Sequence, residues 1–358
     1  MKTRIFAITI AVLLLLFVSL SCANSPEGNS DTSSPTTSEN AHSGIPPIIT
    51  SPSAETSDEQ TIRLPVNPYA TTAPEITEAE TIPENTLAFR LMNDKSSYSV
   101  IGIGTCTDTE IVVPDTYRDL PVTSIAVEAF RDCKALFGIV IPDSVTYVGG
   151  YAFSGCTNLA NVTLPSTIST IEGSTFEGCT SLLSITIPSN VMSIDGNAFG
   201  GCSALRDIVI PDSVTQIQAY AFTSCTSLSR ISIPSSVQFI ESGAFYGCSS
   251  LSEITITNSV GLLGSSAFYA CTSLESFAIP DSLVWLEDNL FGGCSSLTSV
   301  TIPVSIMEIS SGVFKECISL TSISFTGTCE EWNTIVKAVD WAPPSLSIVY
   351  CSDGNVTI

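Results

Sequence analysis

Nine cysteines recur at intervals of 23 residues: Cys133, Cys156, Cys179, Cys202, Cys225, Cys248, Cys271, Cys294 and Cys317. A thiolate is both a nucleophile and a metal ligand, so this file allows four readings: catalysis, a metal site, a ladder of disulfides, or packing. A catalytic thiolate needs a base or positive charge beside it. The only histidine is His42, far from the repeat, which also removes a Ser-His-Asp arrangement. A tetrahedral sulfur site needs ligands that converge, and a straight file does not converge, so neither metal nor cofactor is expected. Stacked side chains hold their Cβ atoms about 4.8 Å apart, wider than the roughly 3.8 Å of a disulfide. Packing remains, with cysteine as a small buried hydrophobe. Cys106 has no obvious partner. Cys329 and Cys351 lie apart from the file, and a disulfide between them stands as an alternative to two free thiols.

The carboxylates read as solvated. Glu287 and Asp288, like Glu330 and Glu331, are neighbours in the chain, which suits turns and edges better than an acid/base pair. Asp143, Asp212 and Asp281 share a repeat position, but two turns without a carboxylate separate each from the next, so no calcium ladder is expected. No phosphate loop or dinucleotide fingerprint is present.

The elements that hold the cysteines follow from the same period. Phenylalanine recurs at 130, 153, 176, 199, 222, 245, 268, 291 and 314, and leucine at 136, 159, 182, 205, 228, 251, 274, 297 and 320. Nine copies without an insertion describe a coil of stacked turns, not a globule. In one turn, Leu182, Ile185 and Ile187 end in strict alternation, which predicts a short strand with one face inward. Pro188 then stops it, having no N–H for a ladder. Val191 and Ile194 predict a second extended piece on the opposite wall. The stretch Gly196 to Cys202 is too short for a helix and reads as a turn. Each strand should pair with its counterpart one turn on, giving short parallel strands.

Outward strand positions are expected to be small and polar, as at Asn161, Thr163, Ser184, Thr186, Ser229, Ser232, Thr255, Ser276 and Thr301. On the second wall, the residue before the inward isoleucine runs Tyr147, Thr170, Ser193, Gln216, Phe239, Leu262, Trp285, Glu308. Three successive turns thus set Phe239, Leu262 and Trp285 side by side, with Tyr246 and Tyr269 in the same turns. Contiguous exposed aromatics mark partner sites, so these five are the candidate binding patch, against the alternative of partial burial under a loop.

The 358 residues carry a net charge of -23. That excludes nucleic-acid binding, which needs a basic face, and leaves attachment to a membrane only to an anchor. Lys2 and Arg4 precede an apolar run over residues 5–20 that is short for a membrane span. Ser19-Leu20-Ser21-Cys22 resembles a bacterial lipobox, which implies a lipoprotein signal peptide over residues 1–22 in which Cys22 is lipidated and becomes the mature N-terminus. Ordinary secretory cleavage and an uncleaved anchor are the alternatives. Residues 23–88 hold nine prolines and ten acidic residues against Arg63 alone. Such a stretch predicts a disordered tether, with ends on the order of 45 Å apart.

The spacing of leucine and isoleucine, with Ser144, Thr167, Asn190, Ser213, Ser236, Ser259, Ser282 and Ser305 eight residues after the leucine of each turn, resembles the leucine-rich repeat. The A-F-x-x-C segment before the leucine and the proline after the strand resemble its BspA-like class, named for a bacterial surface antigen. "YSVIGIGTCTDTEIVVPDTYRDLPVTSI" is similar to the entry segment of that family, and "FTGTCEEWNTIV" with "DWAPPSLSIVYCSDG" to its closing segment. The resemblance implies a right-handed, mainly β leucine-rich-repeat solenoid with an irregular convex side. An entry segment would cover residues 89–121, about nine turns 122–326, and a closing segment 327–358. It further implies a non-catalytic protein, lipid-anchored at the bacterial cell surface, that binds a protein partner or mediates adhesion. A structural envelope-layer component and an accessory glycan-binding module are the alternatives.

Overall fold

The computed structural model describes residues 85–358. They form a coil in which each turn contributes one short strand to each of two walls. On the first wall these strands begin at Glu110–Val112, continue through Ser184–Thr186 and Arg230–Ser232, and end at Ile348–Cys351. The second wall carries two-residue strands such as Ser193–Ile194 and Phe239–Ile240. Pairing between turns is parallel and in register: Ile185 faces Ile208, and Ile194 faces Ile217. The coil makes about eleven turns, two more than the phenylalanine and cysteine mark. The entry and closing segments each add a turn that keeps the strands and loses the signature residues.

The local chemistry explains each corner. After the first strand the N–H of Val191 donates to the carbonyl of Pro188 at 3.1 Å, and Val214 repeats the bond to Pro211 at 3.0 Å. This is a tight turn in which proline gives up only a donor it lacks. After the second strand, the A-F-x-x-C segment bends twice through the left-handed region. Residues two before the phenylalanine, including Tyr151, Asn197 and Tyr220, have φ of 58°, 56° and 60°. Residues two after it, including Gly155, Gly178 and Gly201, have φ of 74°, 72° and 72°. Glycine adopts this conformation without the Cβ penalty, which explains why the second position is so often glycine.

The core is one continuous file of like side chains. All nine repeat phenylalanines are fully buried. Neighbouring rings stack at 5.3 to 5.7 Å from Phe130 to Phe314, and no pair is tilted by more than 10°. The polar position eight after the leucine also behaves as the spacing implied. Thr167, Ser213, Ser259 and Ser282 donate to the carbonyls of Val145, Val191, Val237 and Val260 in the preceding turn, at 2.5 to 3.1 Å. Ser144, Ser236 and Ser305, at the same position, have buried hydroxyls with no partner among the described residues.

Both flanks fold onto the coil. At the entry, Ala88–Leu91 pairs antiparallel with Tyr98–Gly102, which pairs parallel with Leu120–Ile125. Phe89 stacks on Tyr117 at 4.0 Å there. Leu87 is buried and Ala88 opens the first strand, so the folded unit reaches into the stretch assigned to the tether. At the close, a short helix spans Cys329–Thr334, capped by Thr328 and Glu331 in a reciprocal box. Its Trp332 packs on Phe325 and Trp341, and Trp341 meets the last repeat ring, Phe314, at 6.3 Å.

Removing one ring from the middle of the stack tests this core. Phe222→Ala leaves a cavity between Phe199 and Phe245 and is expected to cost about 3–5 kcal/mol. It should also split the unfolding of the array, as read by denaturant melts. A loss below about 1 kcal/mol would contradict the stack.

Candidate functional site

The cysteine file lies inside the coil beside the ring stack. Cys156 through Cys317 are fully buried, while Cys133, in the first turn of the file, is half-buried. All are free thiols. Each buried thiol reaches back 26 residues to a phenylalanine carbonyl of the preceding turn. Cys156 donates to Phe130 at 3.0 Å, Cys225 to Phe199 at 3.2 Å and Cys317 to Phe291 at 3.1 Å, and the other five do the same. Cysteine was expected only to fill space, and the structure adds a hydrogen bond between turns. Leucine and phenylalanine at fixed offsets mark burial, but nothing in their spacing marks this donor.

Electrostatics keep these thiols protonated. Burial raises the pKa of Cys156, Cys202, Cys248 and Cys317 to about 12, and it raises Cys179, Cys225, Cys271 and Cys294 well above the ordinary thiol value. Neighbouring cysteines push several of them in the same direction. The backbone amide of the preceding cysteine acts the other way and is outweighed. Among the described residues, no cluster of three or more His, Cys, Asp or Glu is placed to hold a metal ion.

The carboxylates serve local roles. Glu331 caps the closing helix. Asp288 accepts from the N–H of Ser311 at 3.0 Å, and Asp143 accepts from both the N–H and the hydroxyl of Ser166, at 2.6 and 3.0 Å. Glu287 is half-buried, and burial followed by the charges of Asp288 and Glu308 raises its pKa.

The outward face of the first wall is small and polar at Asn161, Thr163, Ser184 and Thr186. The register corrects one position: the outward residue of its turn is Arg230, not Ser229, and it faces Asp207 and Glu253 on its neighbours. Arg230 lies 3.7 Å from Asp207, both well exposed, so the pair contributes little. Val209, in the same row as Thr163 and Thr186, is also exposed.

The aromatic candidates fall into two groups. Phe239 and Leu262 are half-buried and face each other in register on the second wall. Trp285 holds the same position one turn on, is 40% exposed, and faces Glu308. The ladder of that wall is interrupted between Leu262–Leu263 and Trp285–Leu286. Tyr246 and Tyr269 lie on the A-F-x-x-C side of the coil and stack at 4.9 Å with their planes 9° apart. A Cβ on Gly292, one turn beyond, would fall 2.8 Å from one edge of the Tyr269 ring, so the ring occupies the space that the glycine leaves open. No ring contact joins the two groups among the described residues. Sequence reasoning missed Tyr220, which is exposed and fills the space beside Gly243 in the same manner. The glycine one turn later was the available signal. Cys22 lies outside the described residues.

Thiol ionisation supplies the test of the file. An acid whose pKa is raised on folding leaves stability intact below its unfolded pKa and erodes it above. Between about pH 9 and 12 the unfolded chain releases these protons and the folded chain does not. Each thiol should then lose up to about 1.4 kcal/mol per pH unit. Alkaline melts should show stability falling steeply from about pH 9, and thiol reagents at neutral pH should leave Cys156 through Cys317 unmodified until the protein unfolds.

Comparison with known proteins agrees with this geometry. Residues 105–229 and 215–336 match the BspA type leucine rich repeat region, in six copies. A leucine-rich repeat protein from Bacteroides ovatus is 25% identical, with 76% of each chain covered and a TM-score of 0.58. The leucine-rich repeat protein of T. pallidum is 28% identical over 67% of this chain and 90% of its own, with a TM-score of 0.37. A leucine rich cell surface protein from Faecalibacterium prausnitzii is 24% identical over 71% of this chain and 97% of its own, with a TM-score of 0.36. No curated protein matches the sequence. With well over half its length matched turn by turn, the chain belongs to the BspA-type leucine-rich-repeat family.

Proposed function

We propose that this protein is a non-catalytic scaffold, exported and lipid-anchored at the bacterial cell surface, that binds a protein partner through the outer faces of its coil. The observation that carries the reading is the row Phe239, Leu262 and Trp285, set on successive turns of a wall whose other outward residues are mostly polar or acidic. Aromatic side chains with an apolar body and partial exposure are the usual anchors of protein interfaces. The thiols, by contrast, are desolvated and protonated, which removes the nucleophile that a catalyst would use. Lys2, Arg4, the apolar run and Cys22 support export and anchoring.

The tyrosine pair supports the same reading: Tyr246 and Tyr269 stack on each other, so each offers one ring face fewer to a sugar.

Cross-linking on intact cells, followed by affinity measurement with the partner it captures, tests the row. Trp285→Ala and Phe239→Ala are each expected to weaken binding by about tenfold or more with the β-rich circular dichroism unchanged. Unchanged affinity in a folded double variant would remove the patch. The anchor is tested separately: Cys22→Ser should move the protein from the detergent phase to the aqueous phase in detergent partitioning.

A further inference from the structure

Two cysteines outside the file meet at the closing end of the coil. Cys329 is the first residue of the closing helix, and its N–H donates to Asp353 Oδ1 at 2.7 Å. Asp353 sits in the turn between Ile348–Cys351 and Gly354–Thr357, an antiparallel hairpin in which Cys351 directly faces Gly354. Facing residues of a hairpin carry their side chains on one side, with Cβ atoms about 4.5–5.5 Å apart. Gly354 has no Cβ, and one placed there would lie 3.5 Å from Cys329 Sγ. The sulfur of Cys329 therefore lies on the side of the hairpin from which Cys351 projects. Both thiols are half-buried and free. The turn is also held from the other side, where the N–H of Ser352 donates to Gly327 at 2.9 Å.

We propose that Cys329 and Cys351 are a redox-closable pair, forming a disulfide that locks the closing hairpin onto the closing helix when the protein meets a disulfide oxidant. One thiol loses its proton, and its sulfur attacks glutathione disulfide, expelling one glutathione thiolate. The second protein thiolate then attacks the protein sulfur of the mixed disulfide and expels the second glutathione. Two S–H bonds are lost, one S–S bond forms, and one glutathione disulfide becomes two thiols. The structural effect is local. Gly354–Thr357 covers the outer edge of Ile348–Cys351, the last strand of the first wall. A lock across the 21 residues between the two cysteines holds that cover in place. Cys156 through Cys317 cannot compete, because they are sealed inside the coil.

The test uses the full-length protein, equilibrated in glutathione buffers of rising oxidised fraction, alkylated under denaturing conditions and mapped by mass spectrometry. The expected product is a Cys329–Cys351 linked peptide, roughly 2 Da lighter than the free pair. Its formation should raise the temperature of the first unfolding step on the order of 5 °C, and a reductant should reverse the shift. Cys351→Ser should abolish both the link and the redox dependence. Gly354→Val, whose branches fill the space beside the sulfur, should lower the yield of the link while the β-rich circular dichroism persists. Recovery of both cysteines as separate glutathione adducts, as alkylated thiols, or linked to other cysteines would overturn the proposal. Peptide mapping of the unmutated protein decides the matter even where a variant fails to fold, and it does so independently of partner binding.

Discussion

The carbonyl oxygen of each repeat phenylalanine from Phe130 to Phe291 accepts two hydrogen bonds, and the rest of the coil depends on them. Phe199 accepts from the N–H of Cys202 at 3.1 Å within its own turn and from the thiol of Cys225 at 3.2 Å in the next. The first bond closes the sharp A-F-x-x-C corner. The second ties that corner to the following turn. A buried carbonyl left to one donor retains an unused lone pair, a smaller penalty than an orphaned N–H. Cysteine suits the position for that reason: it is small and apolar enough for a dry interior, and its weak S–H costs little to desolvate. Serine would donate more strongly but carries a larger desolvation cost, and alanine would leave a void.

That arrangement divides each turn into parts free to vary and parts held fixed. The ring, the thiol and the inward isoleucines meet their own kind one turn away, so a change in size strains two neighbours at once. Outward positions meet only solvent and the outward positions beside them. Rows of like outward residues can therefore be assembled by changing single positions in successive turns, as Phe239, Leu262 and Trp285 illustrate. The tyrosines show a constraint that remains even outside. A ring lying along the coil needs room above the next turn, and Gly243 and Gly292 supply it for Tyr220 and Tyr269.

The period, the two walls and the buried file were legible because like residues at a fixed interval admit few packings. Ile185 and Ile194 fall inward on opposite walls as their spacing required. Less was legible where residue type and conformation disagree. Tyr220 and Tyr151 adopt left-handed backbone, which neither favours; the turn imposes it, and only the glycines and asparagine at equivalent positions hint at it. The extra turns at the two ends were missed because strand pairing there continues without phenylalanine or cysteine. The period itself places Arg230, two residues after Leu228, where Ser184 stands two after Leu182, so the misplacement of Ser229 has no cause in the packing. The aromatic patch was legible as a set of turns but not as a surface, since the position of each ring around the turn depends on backbone bends absent from the spacing.

The ends of such a coil pose a problem that its middle does not, because a terminal strand has a neighbour on one side only. The two flanks solve it by halves. The entry segment lays Tyr98–Gly102 and Ala88–Leu91 across the second wall, while the first-wall strand Glu110–Val112 keeps an outer edge without a strand partner among the described residues. The closing hairpin covers the first wall at Ile348–Cys351, while the second-wall strand Val336–Lys337 keeps its edge. Each uncovered edge is two or three residues long and bears a charged side chain, Glu110 or Lys337. Short charged edges resist pairing with another chain. Lys337 is held there by the carbonyls of Trp332 and Ile335, at 2.7 and 2.9 Å, so the residue that guards the edge also caps the closing helix. The longer first-wall edge at the close, four residues with Tyr350 exposed, is the one that receives a full covering strand. Cover is thus placed where an open edge would be longest and least charged.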